Sequence, residues 1–255
     1  MSRRLAGSLL LLFLCGGRAL VAGNEAAPVL KLTNLGAKEA GRALAEKLRS
    51  AVPAENAGFR GLLKTRPRDG RTEIRSITSR ITVGQTNWQV TYEAAATERN
   101  AAERLTIVHA PGRPNEYLYS SGTNTSVRPI SLADDLAARP FAGSDFRVMD
   151  LGLEFFHWPE QRLLKPEMRH NRSCRVLESI NPAPEPAGYA RVVSWIDLET
   201  DGLVCAEAYD RGNRLVKEFS VGSFRKVEGR YELQDMKIRN VKTGRRTELE
   251  FDLKK

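Results

Sequence analysis

Residues Gly143–Trp158, GSDFRVMDLGLEFFHW, form the densest apolar and aromatic run of the chain outside its N-terminal leader. Phe146, Met149, Leu153 and Phe156 stand at i, i+3, i+7 and i+10, the spacing of one helical face. Gly143-Ser144-Asp145 suits a helix start, because Ser144 can cap a free N–H and the Asp145 charge favours the positive helix end. Pro159 stops any helix by Trp158. Almost everything else reads as strand, so the stretch is predicted to be a short, greasy helix among strands. Two roles fit it: a plug at one end of a β core, or a lid over an apolar ligand cavity.

Outward from this stretch, the strand signals run in both directions. Before it, Gly36–Ser50 is an amphipathic helix with Ala40, Leu44, Ala45 and Leu48 on one face, and Pro53 ends it. From Phe59 the period changes to two: Phe59–Thr65, Thr72–Val83, Trp88–Glu93, Glu103–His109 and Glu116–Ser120. Ser131–Ala138 can form a short helix. After Pro159 the strands resume as Arg162–Met168, Ser173–Ile180, Tyr189–Asp197, Leu203–Tyr209, Arg214–Arg225, Arg230–Asn240 and Thr247–Leu253. Tight turns join them, which argues an antiparallel meander in one large sheet. A strongly twisted sheet of that width curls on itself and needs its concave face filled. The fold class is therefore mainly β with helices (α+β): a single curled antiparallel sheet, an unclosed β-barrel with a helical lid or plug.

The chain opens like a secretory signal. Arg3 and Arg4 precede the apolar run Leu9–Cys15, and Val21-Ala22-Gly23 is a plausible cleavage tripeptide. That run is far short of the roughly 20 residues that span a bilayer. Cys15 follows Leu14, whereas a lipidation site wants a small residue there. Residues 1–23 are read as a signal peptide and 24–255 as one domain. Removing the leader takes away Arg3, Arg4 and Arg18 and no acid, so the net charge falls from +9 to +6. The remaining charge is scattered, without the continuous basic face that nucleic-acid binding requires. Cys174 and Cys205 remain; with one strand between theirs they would sit about 10 Å apart, too far to bridge.

Signals of catalysis are weak. His109, His157 and His170 are scattered, and no HExxH, GxSxG, CxxC or glycine-rich phosphate loop occurs. No enzyme activity, cofactor or metal is expected. The aromatics say more. Trp88, Val90 and Tyr92 on one strand face, the stripe of Phe146, Met149, Leu153 and Phe156, and Trp158 and Trp195 are the candidate residues of an apolar cavity and its lid.

Several stretches, in this order and spacing, resemble the bacterial outer membrane lipoprotein-sorting family, the LolA-like group. They are GSDF (143–146) running into Asp150-Leu151 and Trp158-Pro159; SCRVLE (173–178); Trp195-Ile196-Asp197; EAYDRGNRLVK (207–217); and GRRTELEFD (244–252). The resemblance covers roughly residues 36–253. It implies a periplasmic carrier whose concave face holds lipoprotein acyl chains, or another lipid, on the way to the outer membrane. Its partners would be an inner-membrane exporter and an outer-membrane acceptor, and the carrier itself a monomer. It also implies an arginine on an inner strand that holds the lid closed, for which Arg80, Arg104 and Arg191 are the candidates. The alternative on the same fold is a periplasmic sensor or interaction module with no lipid transfer.

Overall fold

A computed structural model describes residues 34–122, 128–130, 139–184, 188–227 and 230–251. The leader 1–23 and the short helix expected at 131–138 lie outside these residues. Helix α1 runs over Asn34–Arg49 and buries Ala37, Gly41, Leu44 and Ala45. The strands follow in chain order: β1 Ala57–Arg66, β2 Glu73–Val83, β3 Trp88–Ala94, β4 Glu103–His109, β5 Glu116–Ser121 and β6 Arg128–Ile130. After the 141–158 segment come β7 Glu160–Leu163, β8 Glu167–Arg169, β9 Arg172–Ile180, β10 Arg191–Asp197, β11 Leu203–Tyr209 and β12 Leu215–Val221. Last are β13 Phe224–Val227, β14 Arg230–Leu233, β15 Asp235–Asn240 and β16 Arg246–Phe251.

One antiparallel sheet takes 14 of these strands in the order β6-β5-β4-β3-β2-β1-β16-β15-β12-β11-β10-β9-β7, with β8 also on β9. The first and last described strands pair from Gly61↔Phe251 to Arg66↔Arg246, and so meet in the middle of the sheet. Its free edges are β6 and β7, and it does not close. β13 and β14 form a separate hairpin between β12 and β15.

Alternation in β3 is complete: Trp88, Val90, Tyr92 and Ala94 are buried while Gln89, Thr91 and Glu93 are half-buried. β10 departs from that rule, burying every residue from Val192 to Asp197. Its inner residues Val192 and Ile196 join the main core, whereas Val193 and Trp195 join Cys174, Val176, Val204 and Cys205 in a second cluster on the convex face. Both cysteines are buried free thiols.

Helix α1 packs on the edge strand β7. Gly41 permits this, since a Cβ there would lie 2.6 Å from the Arg162 Cα. A glycine inside a helix costs about 1 kcal/mol relative to alanine, and close helix–strand contact offsets it.

Candidate functional site

Residues 141–158 lie across the concave face, and here the expected continuous helix is corrected. Residues 141–158 form a 3₁₀ turn Phe141–Gly143, one α-helical turn α2 Val148–Leu151, and a 3₁₀ turn Glu154–His157. Ser144 does not cap a helix; its Oγ donates to the Phe141 carbonyl at 2.6 Å and accepts from Phe146 N–H at 3.1 Å. Leu153 breaks the helical path by taking left-handed backbone angles (φ 48, ψ 42), as does Ala142 (φ 55, ψ 31). For residues with a Cβ this conformation costs roughly 1–2 kcal/mol. Surrounding packing holds it: a Cβ on Gly152 would collide with the Tyr117 hydroxyl, so the chain turns tightly there.

The break decides which aromatics face the cavity. An unbroken helix would aim Phe156 the same way as Phe146; beyond Leu153, Phe155 takes that direction instead. Phe146, Leu151, Leu153 and Phe155 roof an apolar cavity with about 1030 Å³ of unfilled space, part of it open to solvent. Its walls include Phe59, Ile81, Trp88, Val90 and Tyr92 on one half of the sheet and Val192, Phe219, Met236, Ile238 and Phe251 on the other. Of the residues expected from sequence, Trp88, Val90, Tyr92, Phe146 and Leu153 therefore line it. Phe156 and Trp158 are buried in the adjoining core and Met149 packs half-buried against it. Trp195 is a correction. Its ring lies on the convex face beneath the Arg169 guanidinium, 4.2 Å from its centroid, and its Nε1 donates to Glu167 at 2.9 Å. The alternation of β10 sets that direction, since Trp195 and the cavity-lining Val192 are of opposite parity.

Polar side chains fasten the segment to several strands. Asp145, buried, accepts from Arg245 Nε at 3.1 Å and from Thr247 Oγ1 at 2.9 Å. Arg245 Nη2 also donates to the carbonyls of Gly143 and Ser144, at 3.0 and 2.9 Å. Lys217 on β12 donates to the Asp145 carbonyl and sits 3.3 Å from Asp150 Oδ2. The same Asp150 oxygen accepts from Arg147 N–H at 2.8 Å and Tyr189 Oη at 3.1 Å. Burial pushes the Lys217 amine down, Asp150 opposing it.

On the other side, Glu103 accepts Ala142 N–H at 3.0 Å and Tyr119 Oη at 3.1 Å. Arg75, 2% exposed, reaches the same carboxylate at 3.3 Å and also donates to the carbonyls of Ala95 and Ala101. Glu154 accepts from Tyr117 Oη at 2.7 Å and Asn115 Nδ2 at 3.2 Å. Burial raises its carboxyl to about 7, the two donors opposing the rise. His109 stacks on Trp88 with centroids 3.9 Å apart, and burial lowers its imidazole to about 4, so it is neutral at physiological pH.

The arginines expected to hold the lid do not face it. Arg80 is exposed, Arg104 forms an exposed pair with Glu93, and Arg191 covers the Tyr209 ring at 3.9 Å. Lys217 and Arg245 hold the segment instead, and Arg75 braces Glu103, which accepts the Ala142 N–H. Arg75 keeps phase with Ile77, Ser79 and Ile81, and Lys217 with Phe219 and Val221. A cation in phase with an apolar strand face was the available signal. Arg245 lies in a turn, where no such pattern exists.

Among the described residues no group of three or more His, Cys, Asp or Glu could hold a metal. No helix among them is long and apolar enough to cross a membrane.

A protein-family model described as "Uncharacterized protein" matches residues 85–254. Among curated proteins none matches this chain. Solved structures share the architecture. A domain from Vibrio parahaemolyticus assigned to outer membrane lipoprotein sorting superposes with a TM-score of 0.66 at 20% identity, over 84% of this chain and 91% of that one. A DUF1329 family protein from Desulfovibrio piger gives 0.67 at 17%, over 85% and 91%. A LolA superfamily protein from Nitrosomonas europaea gives 0.56 at 15%, over 85% and 92%. At these identities the likeness establishes the fold, an unclosed LolA-type half-barrel.

Proposed function

We propose that this chain, which belongs to the family matched over residues 85–254 and has the LolA-type fold, is a periplasmic carrier of acyl chains. The observation that carries this reading is the apolar cavity between the sheet and the 141–158 segment, roofed by Phe146, Leu151, Leu153 and Phe155. Burying alkyl chain there contributes about 0.8 kcal/mol per CH₂, so a cargo that buries about ten methylenes is held without covalent chemistry. The cargo is a lipoprotein's acyl chains or another lipid, received from an inner-membrane exporter and delivered towards an outer-membrane acceptor.

Release then requires the roof to move. Beside its apolar packing, the segment carries an ionic and hydrogen-bonded clasp: Arg245 and Thr247 on Asp145, Lys217 on Asp150, Glu103 on Ala142. Such contacts can be exchanged one for one with water or with a partner's polar groups, whereas an apolar seam would have no replacement. The left-handed Ala142 and Leu153 bracket α2 and serve as its hinges.

Native mass spectrometry of protein purified from a lipid-containing host tests the reading, alongside uptake of a fluorescent fatty acid. Co-purifying lipid and saturable uptake are expected. A protein that carries no lipid and takes up no fatty acid is not a carrier.

A further inference from the structure

Pairing of β1 with β16 gathers on the convex face cations that are scattered along the sequence. Arg66 stands directly opposite Arg246, and Arg246 directly opposite Arg239 on β15. The carboxylates nearby are taken: Glu250 by Lys64, Glu248 by Lys237 and Glu218 by Arg239. Arg66 and Arg246, both exposed, have no carboxylate within ion-pair reach among the described residues. Two turns extend the patch: Arg68 and Arg71 lie between β1 and β2, and Lys242 between β15 and β16, all exposed. The turns adjoin, since a Cβ built on Gly244 would lie 3.4 Å from Arg68 Cδ. Asp69 is the one acid in them. Apolar side chains continue the patch along the sheet. Ile74, 52% exposed, lies opposite Lys64 and diagonal to Arg66; Leu62, 39% exposed, lies diagonal to Ile74.

Like charges directly opposite each other destabilise a sheet, and an anionic surface laid over them relieves the repulsion. Any acidic partner answers the charges, but the exposed aliphatic pair fits one with hydrocarbon just beneath its charge. We infer that this face, from Leu62 and Ile74 to the two basic turns, docks the protein on an anionic phospholipid surface. The choice of a membrane over an acidic protein rests in part on the carrier reading above, since a carrier of acyl chains works between bilayers. Arg245, in the same turn as Lys242, fastens the roof through Asp145 and the Gly143 carbonyl. The docking face therefore adjoins the clasp over the cargo. Each cation near such a surface raises affinity about fivefold, and salt screens the effect.

Co-sedimentation with vesicles tests this, using protein purified from the periplasm of an expressing host. Binding to mixed phosphatidylglycerol–phosphatidylcholine vesicles at low salt is expected, with little binding to phosphatidylcholine alone. It should reverse at about 1 M salt, where the screening length falls to about 3 Å. Arg66→Gln combined with Arg246→Gln should weaken binding about twentyfold or more. The same variant loses an opposed like-charge pair, so its Tm should stay unchanged or rise. Ile74→Ser, with no change of charge, should also weaken binding. Lys38→Gln combined with Arg42→Gln removes as much charge from exposed positions on α1 and should change binding little. Equal weakening by both double variants, no effect of Ile74→Ser, or binding that ignores lipid charge overturns the docking face. So does a wild type that passes over the vesicles; if it binds poly-glutamate through Arg66 and Arg246 instead, the face belongs to an acidic protein. Fatty-acid uptake is measured on the same samples. Absent docking with uptake intact leaves the carrier standing, and docking without uptake overturns the carrier alone.

Discussion

Asp145 and Thr247 bond each other twice across 102 residues of sequence: Asp145 N–H donates to Thr247 Oγ1 at 2.9 Å, and Thr247 Oγ1 donates to Asp145 Oδ2 at 2.9 Å. Both residues are buried, with Asp145 2% and Thr247 1% exposed. A single hydroxyl on the last strand thus fixes the start of the roof over the cavity. Thr247→Val keeps the shape and removes both bonds, leaving a buried N–H unsatisfied and the carboxylate short of a donor. The expected loss is about 2–3 kcal/mol in urea unfolding. A loss within about 0.5 kcal/mol, as for an ordinary surface substitution, would show that the segment is not fastened there.

The two neighbouring phenylalanines of the roof should behave differently. Phe156 is 3% exposed and lies in the main core, on a turn that packs against α1 and β9. Phe156→Ala should cost about 3–5 kcal/mol and change acyl binding little. Phe155 lines the cavity. Phe155→Ala should cost less, because open space already borders the ring, and should change fatty-acid affinity markedly. Paired unfolding and binding curves decide, and the reverse ranking would mean the roof aims Phe156, not Phe155, at the cargo.

Acidity should act through Glu154. Its carboxyl is raised by burial from an ordinary 4.5 to about 7, so across that interval the folded protein keeps a proton that the unfolded chain has lost. The contribution to stability is complete below about 4.5 and is lost as pH rises through about 7, a swing on the order of 3 kcal/mol. His109 runs the other way. Its imidazole is lowered to about 4, so its contribution is present above about 6.5 and lost on acidification. Glu154→Gln leaves His109 in place. The stability difference between wild type and this variant should therefore shift in favour of the variant between mildly acidic and alkaline pH. A difference that stays constant with pH would rule out titration of Glu154 in that window.

Gly41 tests the seat of α1 on the sheet edge. Alanine ordinarily stabilises a helix interior by about 1 kcal/mol over glycine. Here its Cβ would lie 2.6 Å from Arg162 backbone atoms that cannot move alone. Gly41→Ala should instead destabilise by about 1–3 kcal/mol, read as a lowered Tm. A raised Tm would mean that α1 is not held against β7.

Most strands could be read from the chain because each one's alternation is local. β3, β4, β9, β11 and β16 lie close to where the period of two places them, and α1 where the 3.6 period does. Arg162–Met168 divides into β7 and β8 around Leu164-Lys165-Pro166, though both halves still pair with β9. Arg214–Arg225 and Arg230–Asn240 divide likewise, into β12 with β13 and β14 with β15, where the short hairpin leaves the main sheet. Periodicity cannot see such a departure, because both parts alternate equally well.

What the sequence determined by itself was which residues alternate, where turns fall, and hence a wide antiparallel sheet that must curl around something apolar. Those properties depend on neighbours a few residues apart. Only the tertiary structure decided that Leu153 breaks the roof so that Phe155 rather than Phe156 faces the cavity, and that Trp195 turns to the convex face. It alone decided that Lys217 and Arg245, with Arg75 behind Glu103, hold the segment, and not Arg80, Arg104 or Arg191. Each of these depends on a partner far along the chain: Tyr117 against Gly152, Arg169 over Trp195, Thr247 on Asp145. A side chain's local pattern says that it points inward or outward, but the group it meets there is chosen by how distant strands pair and pack, and that choice exists only once the sheet has curled around its core.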